Sequence, residues 1–316
     1  MDKSEKIFVA GHRGLAGGAI TRKLEAEGFT RLLKRDRAEL DLRNPGAVLE
    51  FFTHEKPDVV VLAAAKVGGI KANMDQPVEF LLDNLSVQNN VISAAHMVKV
   101  RKLLFLGSSC IYPKLAPQPI REESFLTGKL EPTNDAYAIA KIAGIKLCQA
   151  YVAEYGDNYI SAMPTNLYGP GDNFDLDSSH VLAALLRKAH DAKMSGAREL
   201  VVWGTGQPRR EFLHVDDMAA ACFFLLQNYD SPEIVNVGCG VDISIRQLAE
   251  MICDVVGFAG TLTFDSSKPD GTPRKLLEVS KLSALGWRPT IPLHEGIAST
   301  YAWFLEKHGP PALAAR

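Results

Sequence analysis

Continuous apolar segments alternate with helical ones in the first half of this 316-residue chain, and this alternation restricts the fold more than any other feature. The apolar segments are short and uninterrupted, as in strands buried on both faces of a parallel sheet. We predict strands at 6–11, 30–34, 58–65, 102–109 and 159–167. We predict helices between them at 15–28, 45–54, 77–100 and 136–155. Right-handed crossovers then give an α/β fold with a doubly wound parallel sheet.

The pattern loosens after residue 168, where the turn-rich sequence GPGDNF begins. We predict that residues 1–170 form a Rossmann-type domain and that residues 171–316 are mainly a smaller substrate-binding lobe. Segments within about 212–240 are expected to return to the first domain. Later helices are predicted at 181–195, 216–228, 245–256 and 295–307, and later strands at 200–203, 233–237 and 261–265.

Charge and composition exclude several classes of protein. The formal net charge is −2 and no block of lysines and arginines occurs, so nucleic acid is not an expected partner. No apolar segment reaches the length of a membrane span, and MDKSEKIFVAG leads from polar residues into a strand, so we expect neither a membrane anchor nor a signal peptide. Five scattered cysteines favour reduced thiols in a cytoplasmic protein and argue against disulfides and a metal site.

Three glycines follow the first predicted strand and open the first helix. Their spacing is G-x-x-G-x-x-G, which differs from the G-x-G-x-x-G dinucleotide fingerprint. Glycines at this point allow a pyrophosphate to approach the helix N-terminus. The strand–loop–helix context therefore favours a dinucleotide site over an ordinary loop. The predicted contacts are Gly11, His12, Arg13, Gly14, Leu15, Ala16 and Gly17.

Basic residues surround the end of the second strand. Residues 34–37 read KRDR, and Arg13 lies in the glycine loop. Because the guanidinium group pairs well with phosphate, this composition favours the 2′-phosphate of NADP(H), with Arg37 as a contact. A solvated charged turn is the alternative, and Asp36 is the one residue that would suit the ribose hydroxyl of NAD. Asp41 is predicted to contact the adenine region.

A serine, a tyrosine and a lysine form the predicted reaction centre. Tyr137 and Lys141 are four residues apart on a predicted helix and therefore lie on one face. A nearby ammonium lowers the pKa of a phenol, which could then exchange a proton with a carbonyl or an alcohol. Ser108 ends the preceding strand and could hydrogen-bond the same oxygen.

With these residues in this order, nearly the whole chain resembles the extended short-chain dehydrogenase/reductases. The resemblance implies hydride transfer between a nicotinamide and a sugar carbon. It makes Tyr137 the acid/base, has Lys141 lower the pKa of Tyr137 and bind the ribose, and has Ser108 orient the carbonyl. The further cofactor contacts implied are Leu106, Gly107, Ser108, Ser109, Lys141, Pro164, Thr165, Asn166, Leu167 and His180.

A second set of motifs narrows the resemblance. GHRG, GSSCIYP, SSHV, WG-x-G-x-P-x-REFLHVDDMA and KPDGTPRKLL occur in the order found in the family branch with 3,5-epimerase and 4-reductase activities. Such enzymes act on GDP-4-keto-6-deoxy-D-mannose and use NADPH. The protons at C3 and C5 are both acidified by the C4 ketone, so Ser108 and Tyr137 can stabilise both enolates. The resemblance makes Cys110 the base and His180 the acid; the alternatives are a core thiol and a capping histidine.

The nucleotide end of a GDP-sugar needs cations and an aromatic surface. WGTGQPRREF supplies Trp203 and Arg210, and the family pattern favours both, together with Lys188. Asp270, in KPDGTPRK, is predicted to bind the sugar or guanosine end. The alternative for each charged residue is a solvated helix or loop face.

The helices at 77–100 and 136–155 carry more apolar surface than one sheet face needs. The resemblance implies that they form a four-helix bundle across a homodimer, and burial within one chain is the alternative. Two other functions remain open. One is a different nucleotide-sugar 4-reductase or 4-epimerase, and the other is a non-catalytic NADP(H)-binding sensor.

Overall fold

The computed structural model of the chain describes residues 1–176, 178–268 and 270–308. The strands are β1 (Ile7–Ala10), β2 (Leu32–Leu33), β3 (Val59–Leu62), β4 (Lys102–Leu106), β5 (Tyr159–Pro164), β6 (Asn166–Tyr168), β7 (Glu199–Trp203), β8 (Arg209–His214), β9 (Val235–Val237), β10 (Asp242–Ser244), β11 (Thr261–Asp265) and β12 (Arg274–Lys275). The helices are α1 (Leu15–Ala26), α2 (Pro45–Glu55), α3 (Ile70–Asp75), α4 (Pro77–Met97), α5 (Asp135–Tyr155), α6 (Val181–Ser195), α7 (Val215–Asn228), α8 (Ile245–Val256), α9 (Ser280–Leu285) and α10 (Leu293–His308).

The main sheet has six parallel strands in the order β2-β1-β3-β4-β5-β9. Every residue of β1, β3, β4 and β5 is buried, which explains their uninterrupted apolar sequences. In this sheet β2 lies on one side of β1 and β3 lies on the other, so the direction in which strands are added reverses at β1. This reversal places a ligand crevice beyond the carboxyl ends of the strands. The predicted doubly wound α/β fold is confirmed.

The predicted strand at 159–167 is wrong as a single element, because the chain changes sheets at Thr165. β5 pairs with β4 and β9, whereas β6 pairs with β8 in a second sheet that also contains β10 and β12. β9 thus lies in the main sheet, while β8 does not. The domain boundaries themselves stay a prediction. The sequence analysis also missed β8, β10, β12, α3 and α9, most of which are too short to show a periodic pattern.

Helices cover both faces of the main sheet. On one face α1 and α7 contribute core residues such as Leu24 and Met218, and on the other α2, α4 and α5 contribute residues such as Phe52, Ile92 and Cys148. A third core joins α6, α8 and α10 to the smaller sheets. Within the residues that the structure describes, we find no helix long and apolar enough to cross a membrane.

Local signals explain where two helices begin and end. Ser244 and Gln247 form a reciprocal capping box at the start of α8, which ends at Gly257 with a φ of 74°. Asn44 accepts a hydrogen bond from the Ala47 N–H at the start of α2. The bounds predicted for α6 and α8 are confirmed.

Candidate active site

The glycine loop joins β1 to α1 and leaves no room for larger residues. Gly11 has a φ of +88°, and a Cβ on Gly17 would lie 2.2 Å from the Gly11 carbonyl oxygen. Gly14 precedes α1 and offers no side-chain cap, so the first N–H groups of α1 stay available to an anion. Nδ1 of His12 is buried and has no hydrogen-bond partner among the described residues. The loop therefore fits a dinucleotide pyrophosphate.

The charges beside this loop favour a 2′-phosphate. Arg13 pairs with Asp36 at 2.9 Å, and Asp36 also accepts the backbone N–H groups of Ala38 and Glu39. Asp36 is therefore engaged and poorly placed to bind a ribose hydroxyl. Arg37 keeps 69% of its side chain exposed and lies 3.8 Å from its nearest carboxylate. Arg13 and Arg37 remain the two guanidinium groups most open to a phosphate.

Asp41 makes a contact that the sequence analysis did not foresee. Its carboxylate accepts from Arg43 Nη2 at 2.7 Å and Nε at 3.0 Å, and Arg43 also reaches Asp83. The hydrogen bonds from Arg43 lower the pKa of Asp41 to about 2. The Asp41 side chain thus anchors a turn, and its contact with adenine stays a prediction.

The carboxyl ends of β4 and β5 bring the next predicted contacts together. Residues 106–109 follow β4 and residues 164–167 follow β5, and the two strands are neighbours in the sheet. Gly107 is packed so closely that a Cβ would lie 2.4 Å from Met163 Sδ. Asn166 donates to the Glu211 carbonyl at 2.8 Å, so its amide group helps to join the two sheets.

Ser108 lies at the centre of the predicted reaction site. Its Oγ accepts the Cys110 N–H at 3.4 Å and so caps the 3-10 turn Ser109–Ile111. The Ser108 hydroxyl also interacts with the phenol of Tyr137 and the thiol of Cys110. Three polar side chains from β4, its following turn and α5 therefore meet at one point.

The predicted effect of Lys141 on Tyr137 is not what the structure shows. Burial raises the pKa of Tyr137 above its ordinary value, and the nearby Cys110 acts in the same direction. Lys141 Nζ donates to the Leu106 carbonyl at 2.7 Å and lies 5.8 Å from the centre of the Tyr137 ring. Burial in turn lowers the pKa of Lys141 to about 8. A phenol that holds its proton suits the reduction of a ketone, which needs an acid.

The pKa values of Cys110 and His180 shift in opposite directions, and burial is the main cause of both shifts. Burial raises the pKa of the Cys110 thiol, while Lys275, Ser108 and Lys141 oppose this effect. Burial lowers the pKa of His180, and Lys275 lowers it further. His180 precedes α6, but its side chain makes no capping hydrogen bond, so the capping alternative is not what the structure shows.

The side chains of the predicted centre differ in their exposure. Tyr137 and Lys275 are partly exposed and His180 is exposed, whereas Cys110 is only 7% exposed. Solvent therefore reaches Tyr137 and His180 more readily than it reaches the Cys110 thiol.

The predicted nucleotide-binding residues lie on the second lobe. Trp203 is 54% exposed, and the ammonium groups of Lys188 and Lys268 lie 5.0 and 5.4 Å from the centre of its ring. Burial lowers the pKa of Arg210, while the charge of Asp270 opposes that effect. Asp270 itself accepts from Thr205 N at 2.7 Å and Thr205 Oγ1 at 2.8 Å. Both carboxylate oxygens of Asp270 thus accept hydrogen bonds from the loop at Thr205. A contact between Asp270 and the substrate stays a prediction.

Comparison with known proteins agrees with this geometry. Residues 7–238 match the model of the NAD dependent epimerase/dehydratase family. The chain belongs to this family. The matched range contains the whole main sheet and both sides of the Ser108–Tyr137 centre. The resemblance to extended short-chain dehydrogenase/reductases is confirmed.

Individual members of the NAD dependent epimerase/dehydratase family resemble the chain over nearly its full length. GDP-L-fucose synthase 1 of Arabidopsis thaliana is 60% identical over 305 residues, which cover 96% of this chain and 94% of that protein. GDP-L-fucose synthase of Escherichia coli strain K12 is 55% identical over 311 residues, covering 96% and 97%. The structure of a GDP-L-fucose synthetase from Naegleria fowleri bound to NADP superimposes with a TM-score of 0.90 at 31% identity, covering 98% and 96%.

The sequence analysis did not single out two charged residues near the site, Lys275 and Glu211. Lys275 lies inside the KPDGTPRK motif but was not singled out, although its ammonium acts on both Cys110 and His180. Glu211 is completely buried in β8 and bonds to backbone N–H groups of two other segments. No local sequence pattern marks Glu211, because β8 also contains Arg209, Arg210 and His214.

Proposed function

We propose that this protein converts GDP-4-keto-6-deoxy-D-mannose into GDP-L-fucose with NADPH, by epimerisation at C3 and C5 and reduction at C4. The high identity to GDP-L-fucose synthases over nearly the whole chain supports the substrate. The observation that carries the proposal is that Cys110 lies close to Ser108 and Tyr137. A simple reductase needs the latter pair, but it has no use for a thiol next to it.

Epimerisation uses one proton acceptor and one proton donor. Cys110, as the thiolate, removes the proton from C3 or C5, and the electrons of that C–H bond pass to the C4 carbonyl oxygen. Ser108 and Tyr137 hold the resulting enolate through hydrogen bonds to that oxygen. His180, as the imidazolium, then protonates the carbon from the opposite face. The pair ends as thiol and neutral imidazole, and a proton returns to His180 from Cys110 through solvent before the next cycle.

Reduction follows at the same carbonyl. The glycine loop, Arg13 and Arg37 would hold the cofactor, and NADPH supplies the hydride that reaches C4. Tyr137 gives its proton to the C4 oxygen, which leaves an alcohol. Ser108 keeps the carbonyl oriented, and Lys141, fixed on the Leu106 carbonyl, would bind the ribose. The raised pKa of Tyr137 favours the protonated state that this step consumes.

Binding of the nucleotide belongs to the second lobe in this proposal. Arg210 and Lys188 supply positive charge for the diphosphate, and the exposed ring of Trp203 supplies a surface for the base or the sugar. Residues 1–170, with β9, would carry the cofactor, and the remaining residues would carry most of the substrate.

The proposal also includes the assembly and the location of the protein. Leu82 on α4 and Ile139 on α5 are exposed apolar residues, which supports a homodimer through a four-helix bundle. Cys110, Cys148, Cys222, Cys239 and Cys253 are free thiols, which supports the cytoplasm.

The decisive experiment incubates the purified protein with the GDP-keto sugar and NADPH in D₂O. Absorbance at 340 nm follows reductant loss, and mass spectrometry and NMR identify the product. We expect NADPH loss with deuterium at both C3 and C5, and loss of deuterium incorporation in Cys110→Ser. Reduction without deuterium would contradict the epimerase step. Purified protein that carries NAD and consumes no reductant would indicate a 4-epimerase, and NADP(H) binding without turnover of any nucleotide sugar would indicate a non-catalytic NADP(H)-binding protein. Full activity of Tyr137→Phe would contradict the role of Tyr137 as the acid.

A further inference from the structure

The linking segment between β3 and α3, residues 63–69, is held on the first half of the chain by two buried asparagines. Asn84 of α4 accepts the Lys66 N–H at 2.8 Å and donates to the Lys66 carbonyl at 3.0 Å. Asn73 of α3 is 6% exposed and donates to the carbonyls of the last two residues of the segment, at 2.9 and 3.0 Å. The backbone of the linking segment is therefore fixed, although it contains neither helix nor strand.

Gly69, the last residue of the linking segment, contacts the residues that precede His180. Its N–H donates to the Ser178 carbonyl at 3.1 Å. A Cβ on Gly69 would lie 2.8 Å from the Ser179 carbonyl oxygen. The two serines come directly before His180 and lie beyond the point where the chain leaves the main sheet. Gly69 thus joins the first half of the chain to the backbone that carries the imidazole.

Close approach, and not backbone conformation, accounts for a glycine at position 69. Its φ is −66° and its ψ is 179°, and any residue can adopt these angles. A side chain would place its Cβ too close to the Ser179 carbonyl, whose oxygen belongs to the backbone and cannot rotate away. The linking segment and the residues before His180 can therefore come so close only because position 69 has no side chain.

The two serines are also held within the second half of the chain. Asp175 Oδ1 accepts from the Ser178 N–H at 3.0 Å and from Ser178 Oγ at 2.9 Å. The Asp175 carbonyl accepts the Ser179 N–H at 2.8 Å, and Asn173 Nδ2 donates to Ser178 Oγ at 2.8 Å. Contacts on both sides therefore restrain the backbone immediately before His180.

The linking segment adjoins Tyr137 through one aromatic ring. A Cβ on Gly68 would lie 3.2 Å from Phe80 Cζ. Phe80 is 1% exposed, and its ring meets that of Tyr137 edge to face with the centres 6.4 Å apart. The same short segment thus packs against the support of Tyr137 and against the residues before His180.

We propose that Gly69 is a positioning residue for the epimerisation, which sets the place of His180 relative to the reaction centre through the two serines before it. This inference rests on the proposed function. Cys110 removes the proton from C3 or C5, and inversion requires that His180 deliver a proton to the opposite face of the same carbon. When His180 is displaced, the Cys110 thiol exchanges its proton with solvent and returns a deuteron to the original face. Exchange then continues without inversion.

The first test separates exchange from inversion. The protein is incubated in D₂O with the GDP-keto sugar and NADP⁺ in place of NADPH, and NMR gives the initial rates of deuterium incorporation and of inversion at C3 and C5. We expect Gly69→Ala to lower the ratio of inversion to exchange roughly tenfold, because a displacement of about 1 Å is enough to impair such a step. An unchanged ratio, or two rates that fall by the same factor, would overturn the proposal.

The matched control is Gly46→Ala on α2, which adds the same methyl group in another place. A Cβ on Gly46 would meet Asn44 Oδ1 at 3.5 Å, an ordinary van der Waals distance. We expect the ratio of inversion to exchange to stay the same in this variant. If Gly69→Ala does not fold, Asn73→Leu removes the donors to both glycine carbonyls and should lower the ratio in the same direction. An unchanged ratio in Asn73→Leu would then overturn the proposal.

The second test needs no sugar. Amide hydrogen exchange followed by mass spectrometry reports on peptides that cover residues 66–74. We expect faster exchange in Gly69→Ala, because the hydrogen bond to the Ser178 carbonyl is lost, and no change in Gly46→Ala. Equal protection in all three proteins would show that Gly69 does not hold the residues before His180. If the unsubstituted protein exchanges no proton at C3 or C5, the proposed function fails and this inference with it, whereas normal exchange with an unchanged ratio overturns this inference alone.

Discussion

At the scale of single residues, Cys110 differs from the other buried thiols in the groups that surround it. Cys148 and Cys222 are completely buried among apolar neighbours, and burial raises the pKa of each to about 12. Cys110 is nearly as buried, but Ser108 and the ammonium of Lys275 act on it. Burial makes all three thiols poor nucleophiles; Ser161 opposes this effect at Cys148, whereas ammonium groups oppose it only at Cys110.

The pKa shifts of Cys110 and His180 together predict the pH profile of epimerisation. The active pair holds one proton, because two protons leave no base and none leaves no acid. Burial lowers the pKa of His180 and raises that of Cys110, so the singly protonated pair persists over a wide interval around neutrality. We expect deuterium incorporation to fall on the acid side only below the usual imidazole pKa, and on the alkaline side only above the usual thiol pKa. A narrow optimum between the two ordinary values would contradict this assignment.

Cofactor preference provides a second test at this scale. Arg37→Ala removes an exposed guanidinium beside the glycine loop, so we expect the KM for NADPH to rise about ten- to a hundredfold, as for loss of a charged hydrogen bond. The KM for NADH should change little. Lys34→Ala is the control, because Lys34 already pairs with Glu25 at 3.0 Å. Equal losses with both cofactors would show that Arg37 does not contact the 2′-phosphate.

At the scale of secondary structure elements, buried polar side chains form hydrogen bonds between segments that apolar packing alone does not fix. Lys102 begins β4 and is 2% exposed, and its Nζ donates to the Tyr229 carbonyl at 2.6 Å and to Asp230 at 2.8 Å. These acceptors lie just beyond α7, where helical carbonyls lack intrahelical partners. One lysine thus anchors the end of α7 to the sheet that carries Ser108.

Removal of this anchor should destabilise the whole domain. Lys102→Met leaves the Tyr229 carbonyl buried without its donor, and we expect a loss of about 1–3 kcal/mol in the free energy of unfolding. Urea denaturation followed by circular dichroism measures it. Lys307→Met, at an exposed residue near the end of α10, is the control and should stay within about 0.5 kcal/mol. Equal stability of the two variants would show that the buried ammonium contributes nothing.

At the scale of the whole molecule, the main sheet and the second sheet meet just after β5. β5 ends in the main sheet and β6 begins in the second, so one short segment joins both halves. Glu211 adds bonds from β8 to the turn after β9 and to the segment after β12. Ser108, Cys110 and Tyr137 come from the first half of the chain, and the predicted residues His180, Trp203 and Arg210 come from the second.

The proposed homodimer is tested on α4 and α5. Leu82 is 56% exposed and Ile139 is 47% exposed, so a charge at either position leaves the core of one chain intact. We expect Leu82→Glu and Ile139→Glu to sediment as monomers at micromolar concentration, because a buried interface does not tolerate unpaired carboxylates. Val241→Glu, at a 65% exposed residue away from both helices, is the control and should remain dimeric. A monomeric unsubstituted protein would overturn the assembly itself.

The sequence by itself determined the features that depend on local order. Buried parallel strands are mostly apolar, Gly11 and Gly17 mark a loop where no Cβ fits, and Tyr137 and Lys141 share a helix face because they are four residues apart. These relations involve neighbours in the chain, so they were predictable. The family motifs added Cys110 and His180, which no local pattern distinguishes from a core thiol and a helix cap.

Tertiary structure decided everything that depends on side chains meeting from distant segments. Arg43 and Thr205 engage Asp41 and Asp270, two residues predicted to bind ligands. The pKa of Tyr137 rises because the phenol is buried, and burial is a property of the packed molecule. Lys275 lies beside Arg210 because β12 pairs with β8. The charge environment of the reacting groups is therefore set by the fold, and sequence spacing does not encode it.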